Sequence, residues 1–146
     1  MSDQVAVLRQ LLDAQRFAVL ATEDLGQPYA SLMAFAASQD LTHLVLATER
    51  ATRKYAHIQG NPRVALLVDD RTNESADTRQ GTAVTVLGRA AEAATPERQR
   101  LLAVFLAKHP AMADFAASPS CAIIRVQVDV YQIVTHFQNV ALHYPT

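Results

Sequence analysis

A pair of adjacent cations, Arg53 and Lys54, lies where a predicted helix begins. The preceding strand ends at Thr48, and Thr52 stands directly before the pair. Backbone N–H groups already make a helix N-terminus positive, so each cation there costs about 0.3–1 kcal/mol. A phosphate reverses that sign, because it accepts hydrogen bonds from both cations, the threonine hydroxyls and the turn. The spacing predicts an anion site, and the alternative left open is a pair of solvated surface charges.

Glycine-rich phosphate loops are absent from the sequence. The four glycines, Gly26, Gly60, Gly81 and Gly88, are far apart, so neither a dinucleotide fingerprint nor a P-loop is present. A phosphate ligand would therefore depend on side-chain donors such as those of Arg53.

The elements that must position the cation pair are a helix and three strands. Helical spacing of apolar residues predicts an amphipathic helix from Asp3 to Ala14. Three apolar runs predict strands, over Phe17–Thr22, Tyr29–Ala37 and Thr42–Thr48, and the turn-like residues 24–28 make the first two a hairpin. The helix that carries the cations is predicted from Thr52 to Gly60.

The second half of the chain alternates between strands, one polar segment and helices. The predicted elements are a strand over Arg63–Val68, a mobile loop over Asp69–Arg79, a strand from Thr82 with a bulge at Gly88, a helix opened by Pro96 with Thr95 as its cap, a short helix over Met112–Ala117, and closing strands over Cys121–Val128 and Val130–Phe137. Three consecutive strands without a helix between them argue against a doubly wound parallel sheet. The order favours a mainly β (α+β) fold, an antiparallel barrel with peripheral helices.

Composition bounds the class of protein. The chain has 146 residues, 50% of them hydrophobic, which fits a single domain over residues 1–146. With 13 basic and 14 acidic residues there is no global field that would attract nucleic acid or an anionic membrane. No stretch reaches the roughly 18 apolar residues that a membrane span needs. We therefore expect a soluble, cytoplasmic protein.

Other reactive side chains are few. Cys121 is the single cysteine, which excludes an intramolecular disulfide and favours a buried thiol over a nucleophile. None of the five histidines forms the i, i+4 pair of a helical metal site, and Asp69-Asp70 has no further ligand at fixed spacing, so no metal is expected. His136 shares a strand face with Val134 and Gln138, which leaves a haem ligand or proton donor open beside a structural histidine.

The segment from Pro28 to Val68 resembles the core of the pyridoxamine 5′-phosphate oxidase family of small FMN-binding split barrels. Family members carry a strand ending in an aromatic or small residue plus threonine, then four residues, then Arg-Lys, a helix and an Asn-Pro-Arg-Val turn. Here Ala47-Thr48, Arg53-Lys54 and residues 61–64 stand at that spacing. With Gly88-Arg89-Ala90 and the helix after it, the resemblance covers roughly residues 17 to 109.

The resemblance implies a homodimer with FMN between subunits. The residues it assigns to the cofactor are the phosphate ligands Arg53 and Lys54 with help from Ala47, Thr48 and Thr52, the backbone of Ser31, Leu32 and Met33 along the isoalloxazine ring, and Thr82 from the partner chain. On pattern alone, Leu32 and Met33 are also compatible with plain core positions.

Departures from the family limit the substrate. Ser31 and Ala36 stand where the oxidase has basic residues, the chain contains no tryptophan, and the oxidase's C-terminal substrate segment is not recognisable. These differences argue against vitamin-B6 oxidation and leave an FMN-dependent oxidoreductase acting on an unspecified small molecule. Two alternatives remain open, a non-catalytic flavin- or haem-binding protein and a deazaflavin-dependent reductase. The catalytic residues stay unknown.

Overall fold

The computed structural model describes residues 3–136 and 139–146. Its strands are β1 (Phe17–Asp24), β2 (Gln27–Ala37), β3 (His43–Glu49), β4 (Arg63–Asp69), β5 (Thr82–Glu92), β6 (Cys121–Thr135) and β7 (Asn139–His143). Its helices are α1 (Asp3–Ala14), α2 (Arg53–Gly60), α3 (Asp77–Gln80), α4 (Glu97–Lys108) and α5 (Ala113–Ala116), with a 3₁₀ turn over Pro110–Met112.

The strands close into an antiparallel barrel. Their order is β3-β2-β1-β4-β5-β6, and β3 then pairs with the first half of β6, so that six strands form a ring. The second half of β6 pairs with β7, which lies outside the ring. This arrangement confirms the predicted mainly β fold, an antiparallel split barrel with peripheral helices.

The barrel opens along one seam, between β2 and β3. Their pairing is limited to Phe35–Ala37 with Leu44–Leu46, although β2 begins at Gln27 and β3 runs on to Glu49. Within the described residues, β2 from 27 to 34 has no strand neighbour on that side. The helix α2 follows β3 directly and packs against β1, and Arg53 at its start lines a cleft with Gln27 and Tyr29 of the unpaired part of β2.

Two apolar clusters hold the strands in place. The barrel interior is filled by alternating residues of every barrel strand together with Leu8 and Leu12 of α1. A second cluster packs α4 on the outer face of β3, through Phe105 and Leu101 against Val45 and Ala47. Because β3 is buried on both faces, the end of this strand, and with it the start of α2, has a fixed position.

The C-terminal strands differ from the prediction. We expected two strands, Cys121–Val128 and Val130–Phe137, but β6 is continuous from Cys121 to Thr135. The register shifts between Leu87 and Gly88, opposite Asp129, so a bulge absorbs the residue that resembled a break. The predicted bulge at Gly88 is thereby confirmed. A Cβ at Gly88 would lie 2.3 Å from the carbonyl oxygen of Gln127, so glycine is required for this close approach. Phe137 lies outside the described residues, and β7 was not predicted.

Two further predictions need correction. The polar segment Asp69–Arg79, expected to be a loop, ends in the helix α3, which starts at Asp77. The Asp77 carboxylate accepts backbone N–H groups of Thr72 at 2.9 Å and Asn73 at 2.7 Å, which orders the turn before the helix. Thr95 does not cap α4, because the cap position is Pro96 and no side chain makes the capping hydrogen bond.

Candidate functional site

The start of α2 is fixed by two threonines. Thr52 is the N-cap, and its hydroxyl oxygen accepts the Tyr55 N–H at 3.3 Å. The same hydroxyl donates to the Glu49 carbonyl oxygen at 3.0 Å. The hydroxyl of Thr48, which is buried, lies 3.2 Å from that of Thr52. The two predicted hydroxyl donors therefore lie side by side at the first turn of α2.

The cations Arg53 and Lys54 stand in that first turn without compensation. Arg53 is exposed and Lys54 is half-buried. Throughout residues 3–136 and 139–146, neither side chain has an ion pair or a side-chain hydrogen bond to a protein group, and the first turn of α2 contains no acidic residue. Two positive charges therefore add to the positive end of the helix, as the spacing predicted.

A network that the sequence did not reveal anchors this turn. The Tyr55 hydroxyl donates to Glu92 of β5 at 2.5 Å, and Arg50 donates to the same carboxylate at 2.6 Å. The hydrogen bonds from Arg50 lower the pKa of Glu92, which keeps it ionised. Arg50 also donates to the Pro119 carbonyl oxygen at 2.7 Å. Tyr55 and Glu92 are 37 residues apart, so no local pattern could have linked them.

The three predicted residues of β2 divide between its two faces. Ser31 pairs with Leu20 and Met33 with Ala18, so both point into the barrel. Met33 is a core residue, as the alternative interpretation had it. Leu32 points outward and is 70% exposed, so for this residue the core interpretation is wrong. Their backbones run along the unpaired edge of the seam.

The hydroxyl of Ser31 is orphaned. Its Oγ is buried and is the one buried side-chain N or O atom without a hydrogen-bond partner in the described part of the chain. A buried hydroxyl without a partner is energetically costly, and this one points into the barrel, on the same face as Leu20. Ser31 is two residues from Tyr29, which lines the same cleft as Arg53.

The side chains of Ala47 and Thr82 do not lie beside Arg53 and Lys54. Ala47 is buried against α4, opposite to the face of Thr48, so only its backbone is available on the side of the seam. Thr82 starts β5, where its N–H donates to Asp70 at 2.7 Å. The start of β5 lies near the start of β1, whereas Arg53 lies near the end of β1. The two ends of β1 are roughly 20 Å apart, at 3.3 Å per residue.

The remaining candidates form no site. Cys121 is buried, and burial raises the pKa of its thiol. His136 is exposed in the turn after β6, with Nδ1 at 3.1 Å from the Arg79 carbonyl oxygen; its predicted face neighbour Gln138 lies outside the described residues. Asp69 pairs with Arg71 at 3.0 Å. No group of three potential metal ligands occurs in the described ranges.

Comparison with known proteins identifies the family. The sequence model of the pyridoxamine 5′-phosphate oxidase family matches residues 5–135 of this chain. No curated protein matches the chain in sequence. None of the described helices has the length and apolar character needed to cross a membrane.

Solved structures share the fold at low sequence identity. A haem-binding protein from Mycobacterium smegmatis superposes with a TM-score of 0.86 at 16% identity, over 99% of this chain and 59% of that one. The chain therefore spans about three fifths of the length of that relative. A FAD-binding protein from Mesorhizobium loti superposes with a TM-score of 0.69 at 22% sequence identity, over 91% of this chain and 94% of that one. General Stress Protein 26 from Bacillus anthracis superposes with a TM-score of 0.70 at 19% sequence identity, over 98% of this chain and 99% of that one.

Proposed function

The chain belongs to the pyridoxamine 5′-phosphate oxidase family, and on that premise we propose that it is a flavoprotein that binds FMN through Arg53 and Lys54. The observation that carries the proposal is the uncompensated cation pair at the N-terminus of α2. A dianionic phosphate there would accept charge-assisted hydrogen bonds from both cations and a further bond from the hydroxyl of Thr48. The hydroxyl of Thr52 could join them only by giving up its hydrogen bond to the Glu49 carbonyl oxygen. The energetic cost of placing cations at this end of a helix then becomes a gain in affinity.

The open seam supports the position of the isoalloxazine ring. The backbone groups of β2 from Ser31 to Met33 have no strand partner on that side, so they are available to the polar edge of a ring. An unpaired strand edge beside two free cations fits a ligand that carries a hydrogen-bonding ring at one end and a phosphate at the other.

A second copy of the chain is the partner we propose for the outer face of β2, β1 and β4. Leu32, Val19 and Leu67 form one row across these strands by register, and all point outward. Leu32 is 70% and Phe17 56% exposed, and Leu87 extends the patch onto β5. A contiguous apolar patch of this kind is typical of an interface. The homodimer would then bury it and place the cofactor sites between subunits.

The homodimer also accounts for Thr82. Within one chain it lies at the far end of β1 from Arg53. We therefore assign Thr82 to the site of the partner subunit, where the start of β5 approaches the ring across the interface. A variant such as Leu32→Lys, placed in the middle of the apolar patch, is expected to shift the protein to monomers in sedimentation velocity and to weaken FMN binding with it.

The reaction that follows is an FMN-dependent oxidation or reduction of a small molecule. The bound flavin supplies hydride or electron transfer, and the chain supplies binding, orientation and exclusion of water. We propose no catalytic residue from this chain.

Absorption spectroscopy of the purified protein, before and after addition of FMN, tests this function. We expect flavin bands that shift on binding, with saturation at one FMN per chain. A haem band that disappears in His136→Ala would instead support a haem-binding protein, and binding of a deazaflavin in preference to FMN would support a deazaflavin-dependent reductase. Absence of any change with FMN would overturn the proposal. Bound flavin without turnover with reduced nicotinamides and common acceptors would identify a non-catalytic carrier.

A further inference from the structure

A cleft lies between α2 and the β1–β2 hairpin, next to the phosphate site. Its volume is about 440 Å³, within the range of roughly 300–1,000 Å³ that is usual for small-molecule sites. The residues that line it are Asp24, Gln27, Tyr29, Arg53, Ala56 and His57. Arg53 belongs both to this cleft and to the turn that carries the cation pair, so a ligand held by Arg53 could extend from one to the other.

Two aromatic side chains form one wall of the cleft. The rings of Tyr29 and His57 lie edge to face, with centroids 5.2 Å apart and an interplanar angle of 89°. The ring of His57 is held by a hydrogen bond between its Nδ1 and the Thr22 hydroxyl, 2.9 Å. Tyr29 is 36% exposed, so part of its surface is open to the cleft. A rigid, partly exposed aromatic wall favours a flat ring over a flexible chain.

The polar groups in the cleft complement a nucleotide. Arg53 and His57 are one helical turn apart on the same face of α2, where they can flank a phosphate. The Asp24 carboxylate has no ion pair in the described ranges, so it can accept hydrogen bonds from an exocyclic amine or ribose hydroxyls.

We propose that this cleft binds the base of a nucleotide joined to the flavin phosphate, so that the preferred cofactor is the dinucleotide FAD. The inference rests on the proposed flavin site, in which Arg53 and Lys54 hold the first phosphate. The second phosphate lies near Arg53 and His57, and the adenine ring stacks against Tyr29. FMN occupies the same phosphate site but leaves the cleft filled with water.

Titration of the flavin-free protein with FMN and with FAD, followed by calorimetry, tests the cleft. We expect FAD to bind about tenfold more tightly than FMN, equivalent to about 1.4 kcal/mol. Tyr29→Ala removes the stacking surface and should reduce the ratio of the two dissociation constants to near one, whereas Tyr29→Phe keeps it. Tyr144→Ala, at an exposed tyrosine in the C-terminal segment, is the matched control and should leave the ratio at ten.

A second variant fills the cleft without touching the aromatic wall. Ala56 is exposed on α2, and Ala56→Leu is compatible with the helix while it narrows the space. It should weaken FAD at least tenfold and FMN by less than twofold. The cleft proposal is wrong if the natural protein binds FMN and FAD with equal affinity, or if the preference for FAD persists in Tyr29→Ala and Ala56→Leu. Neither result would contradict the proposed FMN site.

AMP alone separates failure of the cleft from failure of the flavin site. AMP should bind weakly and perturb the NMR signals of the Tyr29 and His57 rings. If neither FMN nor FAD binds, the proposed function is wrong. AMP binding that is lost in Tyr29→Ala would then still support a nucleotide cleft, and its absence would overturn the cleft as well.

Discussion

Replacing both cations of α2 by glutamine should stabilise the flavin-free protein. Arg53 and Lys54 add positive charge to a helix N-terminus that has no acidic residue in its first turn. Each cation in this position costs about 0.3–1 kcal/mol, and Arg53 is exposed, which places it at the lower end. The double variant Arg53→Gln with Lys54→Gln should therefore gain about 1 kcal/mol in the free energy of unfolding. For a chain of 146 residues this is a rise of about 2–4 °C in Tm.

The same variant should lose most of the stabilisation that FMN provides. At an FMN concentration of 100 times Kd, the natural protein gains about 2.7 kcal/mol. A variant that binds FMN a hundredfold more weakly gains about 0.4 kcal/mol at that concentration. The order of stability therefore inverts, with the variant more stable without FMN and less stable with it.

Circular dichroism during thermal unfolding, with and without FMN, measures both effects. Arg63→Gln is the control, because it removes an exposed positive charge that lies in β4, outside any helix, and has no ion pair in the described ranges. The control should show the flavin-dependent rise in Tm of the natural protein. A double variant at α2 that is less stable than the control without FMN, or equally stabilised by FMN, would refute the electrostatic reasoning.

Three further predictions concern hydrogen bonds that hold the framework of the fold. Thr52→Ala removes the N-cap of α2 and should lower the free energy of unfolding in urea by about 1 kcal/mol, whereas Thr52→Ser should retain it. Tyr131→Phe leaves the buried Leu41 carbonyl oxygen without its 2.8 Å donor and should cost about 1 kcal/mol in the same assay. The Thr42 N–H and the neighbouring hydroxyls lower the pKa of Asp40 from 3.8 to about 2, so the stability this carboxylate adds is present above pH 4 and lost as the pH falls toward 2. Asp40→Asn should flatten the urea stability profile over that window, and an unchanged slope would contradict the assignment.

Local sequence patterns predicted the elements in which apolar residues repeat with a regular period or a capping residue marks the start of a helix. The helix α1 has the predicted bounds, because its apolar residues repeat at helical spacing on one face. Thr52 was predicted at the start of α2 and is the N-cap there. The open seam and the closure of the barrel through β3 and β6 depend on pairing between segments that are distant in sequence, so no local sequence pattern could predict them.

The failures share one physical cause, which is that tertiary pairing overrides local signals. Asp129 resembled a break, but a bulge opposite Gly88 carries it to the outside and the strand continues. The strand β7 is short and follows a turn in which His136 adopts a positive φ of 49° without a glycine to announce it. The hydrogen bonds of Glu92 and the contact between Tyr29 and His57 could not be predicted from the sequence, because they also join segments that are distant along the chain.

The central claim is that Arg53 and Lys54 bind a phosphate, and parallel titrations with FMN and riboflavin measure this most directly. The two ligands differ only in that group. In the variant Arg53→Ala with Lys54→Ala, two charge-assisted hydrogen bonds of roughly 1.5–3 kcal/mol each are lost, so FMN should bind at least about a hundredfold more weakly while riboflavin is unaffected. FMN titration curves that coincide for the natural protein and this variant would contradict the account.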